Sequence, residues 1–198
     1  NTGNLVLRAP GGSIYAIDDG GMVGAYVTLS AQGDIVGDNP LMVAATEKLF
    51  AEAGGSAFIY SPDHALTLGD MHAGSNMTIG AKDLVLDGII TADGDLHLVA
   101  INSILGHSAQ HGIIGKVIKL EAHNGSIGTS NQAVIVGKHL KLNAEAYADI
   151  FLEIRGKDLI SDYIKSHIGK VEIYVPNGSA VIGKVGKDPF KPLKSLME

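Results

Sequence analysis

Leu96-His97-Leu98-Val99-Ala100, Ile118-Lys119-Leu120-Glu121-Ala122 and Leu140-Lys141-Leu142-Asn143-Ala144 are three copies of one line. Each reads apolar, any, apolar, any, Ala, and the closing alanines lie 22 residues apart. A fixed period of this length marks a stacked repeat. The line recurs as Leu5-Val6-Leu7-Arg8-Ala9, Val27-Thr28-Leu29-Ser30-Ala31, Leu49-Phe50-Ala51-Glu52-Ala53 and Met77-Thr78-Ile79-Gly80-Ala81, and once more as Val171-Glu172-Ile173-Tyr174-Val175. Its fifth positions fall at 9, 31, 53, 81, 100, 122, 144 and 175, giving steps of 22, 22, 28, 19, 22, 22 and 31.

Alternation over five residues is the mark of a β-strand with one buried face. The buried set is Leu, Ile, Val and Ala; the other set is mixed, from Arg8 and Thr28 to Lys119, Glu121 and Glu172. Such a strand hides its apolar side only by stacking on copies of itself. A second strand is read at Ser13-Ile14, Asp34-Ile35, Ser103-Ile104, Ser126-Ile127 and Asp149-Ile150, where a small polar residue precedes an aliphatic. A third precedes each new line, as in Leu41-Met42-Val43, Leu66-Thr67-Leu68, Ile89-Ile90, Ile113-Ile114 and Val134-Ile135-Val136. Glycines such as Gly37, Gly106, Gly128 and Gly183 fall at corners, where positive φ is expected.

Three strands and three bends fit the 22-residue period. The leucine-rich frame is absent, and 22 is not a multiple of six, as a left-handed hexapeptide helix would need. Parallel crossovers are overwhelmingly right-handed. The expected fold is therefore all-β, a right-handed parallel β-helix of about eight coils, roughly 40 Å long at one rung per coil. It is expected to occupy residues 1–183, with 184–198 an irregular tail or a link to further sequence, in a piece of a longer chain.

Three segments depart from the pattern. Thr46 to Ala53 has helix-forming composition, but the repeat phase assigns it to a strand. The 28-residue step predicts an expanded bend at 60–76. The 31-residue step predicts a short amphipathic helical insertion near 157–168, since Leu159, Ile160, Tyr163, Ile164 and Ile168 recur at helical spacing. Both bends, 60–76 and 156–169, are surface loops that could carry ligand contacts.

Composition narrows the function. Net charge is −6 and no basic nucleic-acid patch is evident; Lys184, Lys187, Lys191 and Lys194 read as a solvated tail. The absence of Cys removes disulfides, thiolate metal sites and thiol nucleophiles. No apolar run is long enough to span a bilayer. His107 and His111 are four apart but lack a third ligand, and His64 and His72 with Asp63 and Asp70 are read as loop residues. Asp93-Gly94-Asp95 and Asp18-Asp19-Gly20 are read as turns rather than calcium loops. Aligned at the observed period, the outward ladders read Thr28, Phe50, Thr78, His97, Lys119, Lys141, Glu172 and Ser30, Glu52, Gly80, Val99, Glu121, Asn143, Tyr174, with no cluster of acids. Lys119 and Glu121 are expected to form a surface ion pair. No catalytic residue, metal ligand or cofactor is expected, and the chain is not expected to be an enzyme.

The run from Gly88 to Ala100, Gly88-Ile89-Ile90-Thr91-Ala92-Asp93-Gly94-Asp95-Leu96-His97-Leu98-Val99-Ala100, followed by Asn102-Ser103-Ile104-Leu105-Gly106, resembles the repeats of filamentous haemagglutinins. Lys119 to Gly128 is similar again. The resemblance implies a large bacterial exoprotein, secreted or held at the cell surface by a two-partner route, with a β-helical stalk used for adhesion or display. It implies a receptor or glycan as partner. The alternative is a carbohydrate-active or carbohydrate-binding β-helix module, and a third expectation is end-to-end self-association through exposed terminal strands.

Overall fold

A computed structural model describes residues 3–16, 21–36, 40–107, 110 and 112–185. The described chain is all-β, a parallel β-solenoid of about eight turns, and it contains no helix. One turn shows the plan: β9 (Leu96–Ala100), β10 (Ile104–Gly106) and β11 (Ile113–Ile114) lead into β12 (Val117–Ala122), which lies directly on β9.

Three faces result. The first stacks β4 (Ala57–Ser61), β6 (Met77–Ala81), β9, β12, β14 (Lys141–Ala146) and β16 (Leu159–Ser166). The second carries Leu84 of β7 (Leu84–Leu86), Ile104, Ile127, Ile150 and Val171. The third begins with β1 (Leu5–Ala9), β2 (Gly21–Ala31) and β3 (Leu41–Ala53). It continues through β5 (Leu66–Ala73), β8 (Ile90–Ala92), β11, β13 (Val134–Val136) and β15 (Ile150–Ile154). The chain then passes through β17 (Val171–Tyr174) to β18 (Ala180–Val185), which pairs β16 and runs past the boundary drawn at 183.

Inward aliphatics fill the tube. Leu96, Leu98, Ala100, Ile118, Leu120, Leu142 and Ala144 are all fully buried. Burying each Leu or Ile contributes about 1.5–3 kcal/mol against leaving it in water. The small polar residues noted before each aliphatic tie the turns together. Ser13 Oγ accepts the Asp34 N–H at 2.9 Å, and Asp34 Oδ1 accepts the Ser56 N–H at 2.6 Å. The same relay runs from Asp83 to the Ser103 N–H, Ser103 to Ser126, Ser126 to Asp149 and Asp149 to Lys170. Corner N–H groups that the strand ladders do not reach are satisfied in this way.

Register corrects several expectations. The 28-residue step is not an expanded bend, because Ala53 stacks on Ala73, whereas Ala81 stacks on Ser61. The two alanines close different faces, and 60–76 contains the ordinary strand β5. Turn lengths there are 20 residues, from Ala53 to Ala73 and from Ser61 to Ala81. Ala122 pairs with Ala146 rather than Ala144, a step of 24. The expected helix near 157–168 is strand β16. Leu159 and Ser161 point inward, the chain slips by one residue, and Ile164 and Ser166 then point inward. That slip produced the helical spacing. Thr46 to Ala53 is strand, as the repeat phase required.

Glycine also acts differently from expectation. Among the described residues only Gly128 has positive φ, at 71°. Gly106 and Gly183 instead sit where a Cβ would press on a carbonyl of a later or earlier turn, Ala133 O at 2.6 Å and Asp162 O at 2.9 Å. Gly37 lies outside the described residues.

Candidate functional site

The outward side of the first face carries the densest charge network. Register places His97, Lys119 and Asn143 in one column and Val99, Glu121, Glu145 and Lys165 in the next. Glu121 and Glu145 are therefore on adjacent rungs. The sequence alignment had set Asn143 beside Glu121, because a constant 22-residue step misses the 24-residue turn. The acid cluster expected to be absent is present as this pair.

Glu121 is no surface carboxylate: its relative exposure is 4%. Its Oε2 meets His97 Nε2 at 2.5 Å and its Oε1 meets Lys119 Nζ at 2.9 Å. The Lys119 pair is thus half-enclosed rather than superficial. Burial works to raise the Glu121 pKa, but the hydrogen bonds and charges of His97 and Lys119 outweigh it and bring it down to about 2. One rung on, Glu145 Oε1 contacts His167 Nε2 at 2.7 Å and Lys165 Nζ at 3.5 Å. Tyr163 lies close enough to both carboxylates to feel them. Burial first, then the charges of Glu121, Glu145 and Asp162, push its phenol up to about 12. Lys141 Nζ reaches Asp162 Oδ2 at 2.7 Å. The network is internally neutralised, each acid holding a cation or a histidine.

A second feature lies at the corner before β14 and β16. A shallow concavity of about 450 Å³ is lined by Lys138, His139, Leu140, Arg155, Gly156, Lys157, Asp158 and Ile160. His139 Nδ1 donates to Gly137 O at 2.9 Å, and its Nε2 is buried without a hydrogen-bond partner. Arg155 Nε donates to Glu153 Oε1 at 2.7 Å. Asp158 Oδ1 accepts the Ser179 N–H at 2.9 Å.

Among the described residues, those singled out from sequence do not assemble a metal centre. His107 lies 3.7 Å from Asp87 Oδ1, and His111 is outside the described residues. His64 sits in the turn before β5 and His72 near the end of that strand. Asp70 is engaged by the Ile89 N–H at 2.9 Å. Asp93-Gly94-Asp95 forms a turn tied to Asn76, whose Oδ1 accepts the Asp95 N–H at 2.9 Å. Asp18-Asp19-Gly20 falls outside the described residues, as do Lys187, Lys191 and Lys194. Among the described residues no three His, Asp or Glu side chains converge for a metal ion, and no helix is long and apolar enough to cross a membrane. The Glu121–Glu145 pair was within reach of the sequence, since Ala144 and Ala146 both fit the line's fifth position and only the choice between them hid it.

Comparison with protein-family models, with curated proteins and with solved structures gave no match.

Proposed function

We propose that the chain is a non-catalytic structural and adhesive segment of a large bacterial surface or secreted filamentous protein. It supplies a rigid length of solenoid for reach and display, with flanks that meet a cell or surface. The observation that carries this reading is the unbroken aliphatic column, Met77, Leu96, Ile118 and Leu142 on the first face and Leu84, Ile104, Ile127 and Ile150 on the second, each fully buried by its neighbours above and below. Length adds by stacking in such an architecture, and stiffness follows from the shared core. The resemblance of Gly88 to Gly106 to filamentous haemagglutinin repeats supports the bacterial, exported setting and a receptor or glycan as partner.

The adjacency of Glu121 and Glu145 favours the alternative, a carbohydrate-active or carbohydrate-binding module. Glycoside hydrolysis needs one carboxyl held protonated at working pH. Glu121 is held the opposite way, at about 2, and Glu145 is engaged by Lys165 and His167. Hydrolysis is disfavoured on this ground; binding is not.

Spin labels test the structural reading, because the chain has no native Cys. With labels at Arg8→Cys and Val181→Cys, the reading predicts a narrow distance distribution. Duplicating residues 96–117 lengthens it by one rung, about 4.8 Å. A broad distribution, or no lengthening, contradicts it. Release of reducing ends from a polysaccharide panel, abolished by Glu121→Gln, overturns the non-catalytic part.

A further inference from the structure

The relay that ties the turns together imposes a glycine at each step. Ser13, Asp34, Asn76, Ser103 and Asp149 accept the N–H of Asp34, Ser56, Asp95, Ser126 and Lys170. In every case the residue just before that donor is glycine: Gly33, Gly55, Gly94, Gly125 and Gly169. A Cβ on any of the five would collide with the relaying side chain itself, so the cap reaches its donor only over a residue without one. Four of these glycines also spend their own N–H. Gly33 donates to Gly12 O at 2.9 Å, Gly55 to Gly33 O at 3.0 Å, Gly94 to Ser75 O at 2.8 Å and Gly169 to Ser166 Oγ at 2.8 Å. Gly125 is the exception: among the described residues its N–H has no acceptor.

The residue before Gly125 is Asn124, whereas Gln32, Gly54, Asp93 and Ile168 precede the other four. Asn124 is exposed, and among the described residues its side-chain amide makes no hydrogen bond. Other asparagines are engaged: Asn76 by the Asp95 N–H, Asn102 with Asp83 Oδ2 at 3.0 Å and Asn143 by the Asp162 N–H at 3.0 Å. An asparagine side-chain carbon and the next backbone nitrogen close a five-membered ring when they join. A side chain on that next residue crowds the closure, and glycine offers none. The fold therefore places an unoccupied amide carbon beside an unoccupied, uncrowded nitrogen at this corner. Asn177-Gly178 is a second such pair, in the last described turn.

We propose that Asn124 is a self-modifying site in the folded chain, where the Gly125 nitrogen attacks the Asn124 side-chain amide and converts the corner, without an enzyme, into aspartate and isoaspartate. The Gly125 nitrogen gives up its proton and forms a bond to Asn124 Cγ. The Cγ–Nδ2 bond breaks, and Nδ2 leaves as ammonia with that proton. Water then opens one of the two carbonyls of the cyclic imide. Opening on one side gives aspartate; opening on the other gives isoaspartate, in which the backbone runs through the side chain and gains one atom. Water is the only co-reactant. The extra atom falls between two ties to the preceding turn, Asn124 N to Ile101 O at 2.9 Å and Ser126 N to Ser103 Oγ at 3.1 Å. It also displaces Gly125 O, which accepts the Ala148 N–H of the following turn at 2.8 Å. A corner held on both sides cannot absorb the added length, so ladder groups lose their partners and the turn opens locally. This inference goes beyond the proposed function and is independent of it.

Peptide mass spectrometry of the native chain, held folded in mildly alkaline buffer at body temperature, tests this. The tryptic peptide Leu120–Lys138 carries its own reference, because it also contains Asn131. The nitrogen after Asn131 belongs to Gln132 and is bonded to Thr129. Amide-to-acid conversion at Asn124 should run several-fold faster than at Asn131, rise with pH, and yield more isoaspartate than aspartate. Asn124→Gln, which keeps an amide but lengthens the ring to be closed, should remain unmodified, and circular dichroism should show its fold unchanged. The converted chain carries one more negative charge and can be isolated by ion exchange. Its isoaspartate form should melt lower, and exchange amide hydrogens several-fold faster at the ends of β12 and β14, than Asn124→Asp, which has the charge without the extra backbone atom. Conversion no faster at Asn124 than at Asn131, conversion confined to urea-unfolded chain, or an isoaspartate form that melts and exchanges like Asn124→Asp overturns the proposal.

Discussion

A carboxylate as enclosed as Glu121 stays ionised only because His97 and Lys119 hold it. Its pKa is lowered from 4.5 to about 2, so its folded form binds fewer protons than the unfolded chain across that interval. The stability it contributes is complete above the unfolded value and is lost as pH falls through about 2, on the order of 3 kcal/mol over the whole window. Denaturant titrations between about pH 6 and pH 2 should show this slope in the native chain and a shallower one in Glu121→Gln. Equal slopes would mean that the His97 and Lys119 contacts do not form in solution. Gly74 is a second residue with a sharp expectation, because a Cβ there collides with the backbone carbonyl of Gly54, one turn earlier. Gly74→Ala should cost about 1–3 kcal/mol by overpacking. Gly12→Ala, with nothing within 4 Å of the new Cβ, should cost little. Thermal melts of the two variants decide it.

At the scale of the strand, β12 is held from both sides, by β9 and by β14, and its inward Ile118 and Leu120 are fully buried. Leu120→Ala should destabilise the chain by about 2–5 kcal/mol, since a tube packed from above and below cannot collapse into the gap. Val181→Ala, on the 65%-exposed side of the last strand, should be nearly silent in the same denaturant titration. Strand identity was legible because alternation is a local property of the chain, and Leu96, Leu98 and Ala100 point inward just as the line required. Register was not, because it depends on which alanine meets which, and several choices satisfy the same five-residue line. Ala144 and Ala146 both end such a line. Only the backbone pairing chooses Ala146, and with it the Glu121–Glu145 contact between rungs. The slip in β16 misled for a related reason: two short strand phases joined out of step mimic a helical repeat.

On the scale of the whole molecule, each turn touches only its neighbours, so stability should be greatest in the middle and fall toward both ends. Leu7, an inward position, is already 36% exposed in the first turn, whereas Leu29, its partner one turn on, is 1% exposed. Hydrogen exchange should therefore be slowest in β6, β9 and β12 and fastest in β1 and β18. The stacking register underlies the whole solenoid, and the absence of Cys permits a direct test of it by paired cysteines. Neighbouring rungs put paired Cα atoms about 4.8 Å apart, within the span of a disulfide. Under mild oxidation His97→Cys with Lys119→Cys, and Lys119→Cys with Asn143→Cys, should each crosslink readily, and Lys119→Cys with Lys141→Cys should not. Crosslinking of the Lys119–Lys141 pair in preference to Lys119–Asn143, or of neither predicted pair, would contradict the register and the Glu121–Glu145 contact built on it.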